Sequence, residues 1–309
     1  MMWGDKRFNN LNTYLRSIFN TKVFKLSLDG GFTCPNRDGK LSEKGCLFCS
    51  EQGSGEFAGN RKKSILEQIE EQKRLYENKW KNGKYIAYFQ NFTGTYASNQ
   101  YLEEKYTEAL SGDGVVGLAV ATRPDCVTEE NIELLSEFNK KTFMWVELGL
   151  QTSNDEKGKI LNRGYDQKRF QEAVELLNKY NIKVVVHLII GLPEETKKDF
   201  LNSVEYISNQ NIFGVKFHML QILKNTGLEK YYSQNKFKIL TKEEYIDYII
   251  NGIEILNKDI VIHRLTGDPE KEMLIEPNWV KNKRWVLNTI DKELKKKDSW
   301  QGKNRIVLF

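Results

Sequence analysis

The sequence has no hydrophobic run long enough to cross a membrane. Its longest apolar stretches are three valines at residues 184–186 and a Leu-Ile-Ile at residues 188–190, whereas a membrane-spanning helix needs about 20 apolar residues. Residues 1–10 also lack the apolar core of a signal peptide. We therefore expect a soluble, cytoplasmic protein that has no membrane partner.

Repeats, low-complexity stretches and a proline-rich linker are missing too, and only 5 of the 309 residues are proline. Apolar residues make up 39% of the chain, which excludes a disordered protein. A chain of this length predicts one domain of roughly 200–250 residues plus an appendage. We expect a core over residues 1–225 and an α-rich C-terminal extension over residues 226–309.

Short β-branched runs alternate with amphipathic segments along the core. The runs cover residues 23–28, 85–89, 115–121, 143–150, 183–190 and 214–220, and residues 259–262 could add an edge strand. Strand–helix alternation predicts parallel strands with helices packed outside. Six such units indicate an α/β fold that forms a partial (β/α)6 barrel rather than a closed eight-stranded one.

Polar residues and glycines follow the ends of all six predicted strands, such as Asp29-Gly30-Gly31 after the first and Gly191-Leu192-Pro193 after the fifth. In parallel sheets the chemistry gathers at the carboxyl ends of the strands. This pattern predicts an enzyme.

Three of the four cysteines lie in one loop, residues 29–55, with the spacing C-x11-C-x2-C at Cys34, Cys46 and Cys49. Three thiolates would leave one iron of a [4Fe–4S] cluster without a protein ligand, and that open position suits catalysis. Zinc completed by a remote histidine is the alternative. Cys126, in an apolar context, is better explained as a buried structural thiol.

This loop, the aromatic Phe48 before the last cysteine and the Gly-Leu-Pro turn resemble the radical S-adenosylmethionine (SAM) superfamily. The wide cysteine spacing is similar to the branch related to the catalytic subunit of elongator, an RNA-modifying enzyme. Several strings also resemble an uncharacterised bacterial family of that branch, over residues 34–39, 88–90, 121–125, 147–151, 162–164 and 263–268. The similarity covers roughly residues 20–225 and part of the extension.

The resemblance implies that a [4Fe–4S] cluster on the three cysteines binds SAM and cleaves it reductively to a 5′-deoxyadenosyl radical. It also implies a reducing partner such as flavodoxin or ferredoxin. Candidate SAM contacts are Phe48, Gln90, Asn91, Thr93, Glu147, Gln151, Arg163 and His187. For Phe48 the alternative is packing of the cluster loop, for Arg163 a surface salt bridge, and for His187 a hydrogen-bonded core position.

The formal net charge is +5, and the C-terminal segment supplies it: residues 281–305 hold nine Lys or Arg and three Asp or Glu. Such a segment is typical of a polyanion partner, here tRNA, with Lys295, Lys296 and Lys297 as candidate contacts. The simpler interpretation is a solvated helix, with Trp285 and Trp300 anchoring the segment to the barrel.

The elongator relative uses a second, acetyltransferase-like domain, for which about 80 residues after the barrel leave no room. The resemblance therefore implies radical chemistry on tRNA, such as remodelling an existing C5 side chain of a wobble uridine. Two alternatives remain open. One is a radical enzyme acting on a small molecule or a protein side chain, and the other is a zinc-bound RNA-binding protein without catalysis.

Overall fold

The structure, a computed structural model, describes residues 3–53, 55, 57–77 and 83–305. Its strands are β1 (Val23–Leu28), β2 (Lys84–Phe89), β3 (Val115–Thr122), β4 (Phe143–Gln151), β5 (Lys183–Ile190), β6 (Gly214–Met219), β7 (Ile222–Leu223), β8 (Val261–Arg264) and β9 (Leu274–Glu276). Seven of them form one parallel sheet in the order β1-β2-β3-β4-β5-β6-β8, and β7 pairs antiparallel with β9.

The helices connect these strands and continue into the C-terminal extension. They are α1 (Leu11–Phe19), α2 (Ile65–Glu77), α3 (Asn99–Leu110), α4 (Glu129–Lys141), α5 (Asp155–Ile160), α6 (Gln167–Lys179), α7 (Lys197–Ser208), α8 (Gly227–Gln234), α9 (Lys242–Ile255) and α10 (Lys283–Lys296). None in the described part of the chain is long and apolar enough to span a membrane.

The two faces of the curled sheet differ in chemistry. Alternate residues such as Leu26 and Leu28 of β1 are fully buried in the large apolar core that includes the helices. Lys25 and Ser27, on the opposite face of the same strand, line a cavity inside the curl. The helices therefore cover the apolar outer face, and the polar inner face surrounds a space of about 930 Å³.

The fold prediction is confirmed: the sheet is a half-barrel with its helices outside. The possible edge strand at residues 259–262 forms as β8, which pairs with β6 in parallel, Gly214 opposite Val261. Ile262 also bridges to Asn10 at the start of α1. The chain after residue 225 thus returns to the sheet and closes one side of the cavity, while the division into domains at that residue stays a prediction.

Candidate active site

The cysteine loop is fixed to its surroundings mainly through backbone hydrogen bonds. Leu47 donates its N–H to Leu161 O at 2.9 Å and accepts from Leu228 N at 2.8 Å. Arg37 donates to Cys49 O at 3.0 Å. These bonds join the loop to α5 and α8, so its thiols are held against the carboxyl ends of the strands.

The three thiols of this loop lie close enough to affect one another. The hydrogen bond with the Cys49 thiol lowers the pKa of the Cys46 thiol against the opposing effect of burial, and the positive charge of Arg123 lowers it further. Asn36 Nδ2 lies 3.5 Å from Cys46 Sγ. The surroundings of Cys46 therefore favour its thiolate form.

A turn after α5 supports the loop from the other side. Asn36 Nδ2 donates to Asn162 O and Asn162 Nδ2 donates to Gly45 O, both at 2.7 Å. Gly164 has φ +80°, and a Cβ there would lie 3.3 Å from Arg123 Nη2 and 3.4 Å from Asn36 Oδ1. A side chain at residue 164 would be strained and crowded, which explains the glycine.

The segment after β2 contacts the cysteine loop and carries three of the predicted SAM contacts, Gln90, Asn91 and Thr93. Thr93 donates its N–H to Thr33 O at 3.2 Å, next to Cys34. Asn91 Nδ2 donates to Asp29 Oδ2 at 2.9 Å. Asn91 Oδ1 and Thr93 Oγ1 are both buried and have no hydrogen-bond partner among the described residues. Buried polar atoms of this kind are rare unless a ligand or water satisfies them.

Gln151 reaches the cavity through an irregular end of β4. The pairing of β4 with β5 shifts between Gly149 and Gln151, and Gln151 has φ +61°. A Cβ at Gly149 would lie 2.2 Å from Gln151 Nε2, and the Tyr165 hydroxyl is within 3.0 Å of Gln151 Oε1. The strained backbone and its supports hold the Gln151 amide in the cavity wall.

Two predicted SAM contacts lie elsewhere, each in a set of protein hydrogen bonds. Arg163 is 1% exposed. It donates to Leu150 O at 2.6 Å, Thr152 O at 2.7 Å and Tyr165 O at 2.8 Å, and pairs with the Asp155 carboxylate. Its guanidinium connects the end of β4 to α5. Arg163 is therefore buried rather than part of a surface salt bridge, and its donors are already bonded to protein groups.

Glu147 is the second of them, and it is the centre of a buried network inside the barrel. Its Oε1 accepts from Trp145 Nε1 at 2.9 Å, and its Oε2 accepts from Tyr88 Oη at 2.8 Å and from Lys216 Nζ. His187 Nε2 lies 2.7 Å from the same Oε2. Glu147 has no exposed side-chain surface and does not line the cavity.

The charges in this network follow from its contacts. Burial alone would raise the pKa of the Glu147 carboxyl, but the charge of Lys216 and the hydrogen bond from His187 outweigh burial and lower it. Burial and Lys216 lower the pKa of His187 to about 4. At pH 7 the carboxylate is therefore ionised, and His187 is neutral and donates its Nε2–H.

The cavity joins residues from the cysteine loop, the strands and the extension. Of the predicted SAM contacts it brings together Phe48, Gln90, Gln151 and His187. Its other lining residues include Lys25, Ser27, Tyr88, His218, Gln221, Arg264 and Asp268. A nucleoside-sized group would fit in this volume beside the cysteine loop.

The chain matches two protein-family models. Residues 34–207 match the radical SAM superfamily and residues 212–296 match the radical SAM C-terminal domain. The chain belongs to the radical SAM superfamily. Its cofactors are therefore a [4Fe–4S] cluster and SAM, and this membership favours an enzyme over a zinc-bound binding protein.

This radical SAM protein is also similar to two individual proteins and to one solved structure. It is 43% identical to the uncharacterised protein YtqA of Bacillus subtilis, over 97% of this chain and 93% of that one. It is 28% identical to the tRNA uridine(34) acetyltransferase of Methanocaldococcus infernus, over 52% of this chain and 30% of that one. The structure of M. infernus Elp3 lacking residues 1–46 matches with a TM-score of 0.69 and 17% identity, over 90% of this chain and 64% of that one.

The residues present fit the two cofactors of the superfamily. Three thiols of one loop, with the pKa of Cys46 lowered, suit a cluster that takes each thiolate on a separate iron. The unpartnered Asn91 Oδ1 and Thr93 Oγ1 next to that loop suit a polar ligand. Within the described residues, no three His, Cys, Asp or Glu side chains converge on a point where they could hold a single metal ion.

The basic C-terminal segment begins at the cavity, but its candidate RNA contacts lie apart from it. Helix α10 buries Val286, Ile290 and Leu294 and exposes Lys292, Lys295 and Lys296. Lys283, at the start of α10, lines the cavity. Lys295–Lys297 come at least 12 residues later, which is about 18 Å along a helix. Trp285 and Trp300 are 37% and 41% exposed, and Lys242 of α9 lies over the Trp285 ring. The interpretation that both rings anchor the segment stays a prediction.

The turn after β5 contains an acid that sequence reasoning missed. Glu195 Oε2 accepts the N–H groups of Gly191 and Leu192 at 2.8 and 3.3 Å. Burial raises its pKa to about 8, although these hydrogen bonds oppose the shift. The Gly191-Leu192-Pro193 turn is therefore held by a side chain that resists ionisation.

This raised pKa predicts a pH dependence of stability. Between the ordinary pKa of 4.5 and about 8, the unfolded chain loses the Glu195 proton before the folded one does. The free energy of unfolding should therefore fall as pH rises through this window, by up to about 1.4 kcal/mol per pH unit. The free energy of unfolding of Glu195→Gln, measured in urea, should lack this pH-dependent component. A pH profile identical to that of the wild type would contradict the raised pKa of Glu195.

Proposed function

We propose that this protein is a radical SAM enzyme that modifies tRNA by remodelling an existing C5 side chain of a wobble uridine. When bound, the cluster and SAM supply a 5′-deoxyadenosyl radical. In this proposal Cys34, Cys46 and Cys49 hold the cluster. A reducing protein such as flavodoxin or ferredoxin supplies electrons, and the enzyme works in the cytoplasm.

The observation that carries the radical chemistry is the single cavity shared by the cysteine loop and the polar strand ends. Phe48, in the loop, and Gln151, at the end of β4, line the same space. In the proposal Phe48 lies against the adenine of SAM, and Gln90, Gln151 and His187 offer polar contacts. Asn91 and Thr93 contribute buried oxygens that have no hydrogen-bond partner among the described residues.

Two of the eight candidate contacts take other roles in the proposal. The guanidinium of Arg163 and the carboxylate of Glu147 are already bound by protein groups. Arg163 positions the end of β4, and Glu147 positions His187 in the cavity wall through its Oε2. In the proposal, Arg163 therefore acts on the cofactor through the end of β4, and Glu147 acts on it through His187.

The support for tRNA comes from the relatives and from the basic segment. The relative from M. infernus is named for uridine 34 of tRNA, although this chain covers 30% of it. Lys295 and Lys296, at the exposed end of α10, make no ion pair with any described residue. Lys297 lies 3.9 Å from Asp247. Free lysines on a helix end suit the phosphates of RNA.

The substrate is tested by incubating the anaerobically reconstituted enzyme with SAM, a reductant and bulk tRNA. We expect 5′-deoxyadenosine and a mass change confined to a C5-substituted uridine in the digested tRNA. The Cys46→Ala variant and a reaction without reductant are the controls. If 5′-deoxyadenosine forms and every nucleoside is unchanged, the substrate is a small molecule or a protein side chain.

The proposed RNA-binding role of α10 makes a separate prediction. Lys295→Glu with Lys296→Glu should weaken tRNA binding and reduce the slope of log K against log salt by about 0.9 for each phosphate that is no longer neutralised. Lys140→Glu with Lys141→Glu is a matched control, because these lysines also occupy the last turn of a helix. Equal weakening by the two pairs would indicate non-specific attraction.

A further inference from the structure

The two edge strands of the half-barrel bring two cations to one cavity, and neither cation has a carboxylate partner in the described part of the chain. Lys25 is on β1 and Arg264 is on β8, at opposite edges of the sheet, and both line the cavity. No described Asp or Glu lies within 4.0 Å of either charged group; Lys25 instead lies over the Tyr88 ring, with Nζ 5.1 Å from the ring centroid. Arg264 stands opposite Lys216 in the register of β8 with β6.

The other charges around the cavity balance one another. On the rim, three lysines (Lys271, Lys281, Lys283) accompany three acids (Asp268, Glu270, Glu272). Lys283 pairs with Asp268. Deeper in the barrel, the buried carboxylate of Glu147 is paired with Lys216. Among the described residues, the excess positive charge facing the cavity is therefore that of Lys25 and Arg264.

Without a bound anion, this excess of positive charge lowers the stability of the fold. Burial lowers the pKa of Lys25, and repulsion by Arg264 and Lys283 adds to this effect against the attraction of Glu147. Partly buried cations that repel one another destabilise a fold unless an anion joins them. An arginine fork beside a lysine matches the oxygens of a carboxylate or a phosphate.

We propose that Lys25 and Arg264 form a subsite for an anionic group of the substrate, either a carboxylate or a phosphate, held between the edge strands. Lys25 lies four residues before Asp29, or about 13 Å along the strand direction. The subsite is thus deeper in the barrel than the strand ends near the cluster loop. The inference rests on the family assignment, and the choice of tRNA as substrate does not affect it.

The test measures thermal unfolding of the reconstituted holoenzyme in chloride, phosphate or acetate at constant ionic strength. Phosphate or acetate should raise the Tm of the wild type by about 2–4 °C relative to chloride. Lys25→Met and Arg264→Met should lose this rise, whereas Lys292→Met, an exposed lysine on α10, should keep it. A rise in Tm with phosphate alone indicates that the subsite binds a phosphate group of the substrate. A rise with acetate indicates that it binds a carboxylate.

A second readout separates a binding role from a structural one. In chloride, Lys25→Met should melt at the wild-type temperature or above it, because the change removes repulsion. Formation of 5′-deoxyadenosine without substrate should stay within about twofold in Lys292→Met, which lies outside the cavity. The proposal is overturned if no anion stabilises the wild type, if Lys25→Met keeps the anion response, or if Lys292→Met loses it.

Discussion

Cys46→Ala is expected to abolish the [4Fe–4S] cluster and the formation of 5′-deoxyadenosine. Cys46 is the thiol whose pKa is lowered by Cys49 and Arg123, and its sulfur also lies 3.5 Å from the Asn36 amide. Changes in outer partners of metal ligands cost roughly 10–100-fold in affinity or activity, so loss of a ligand should cost more. Iron content, absorbance of the reconstituted protein and 5′-deoxyadenosine yield measure the effect.

Cys126→Ala is the matched control, since it removes a thiol of the same chain outside the loop. Cys126 is 6% exposed, and burial raises its pKa to about 12, so it stays a protonated thiol. This variant should keep its iron and its activity. A normal iron content in Cys46→Ala, or a loss of iron in Cys126→Ala, would contradict the assignment of the three cluster ligands.

The strands and the cysteine loop could be predicted because their signals are local. Alternation in residues 23–28 indicates both the strand and its two faces, and in retrospect it also indicates that Lys25 and Ser27 face inward. The C-x11-C-x2-C spacing lies within a single loop. Both depend on neighbouring residues, and neither requires knowledge of how distant segments meet.

The roles of Glu147 and Arg163 could not be predicted, because they depend on contacts between distant elements. Lys216 meets Glu147 across β5, and the phase of β6 alone does not show on which face Lys216 lies. Arg163 is drawn inward by the carbonyls at the end of β4. A motif can thus identify a position as important while leaving open whether it contacts a ligand or the protein.

Lys216→Met is expected to lower the free energy of unfolding by about 3–5 kcal/mol, because it leaves the Glu147 carboxylate buried without its countercharge. Tyr88, Trp145 and His187 would still donate to Glu147, but at pH 7 all three are neutral. Urea unfolding at matched cofactor loading measures the loss. Lys25→Met is the control, since that barrel lysine has no carboxylate within ion-pair distance among the described residues.

A double variant separates the cost of an unpaired charge from the cost of lost packing. Adding Glu147→Gln to Lys216→Met removes the stranded charge and keeps one amide oxygen for the remaining donors. The double variant should therefore recover more than half of the stability lost by Lys216→Met alone. If the losses in free energy of unfolding caused by Lys216→Met and Glu147→Gln simply add, the barrel depends on the shape of these side chains. Glu147 then does not need Lys216 as its counterion.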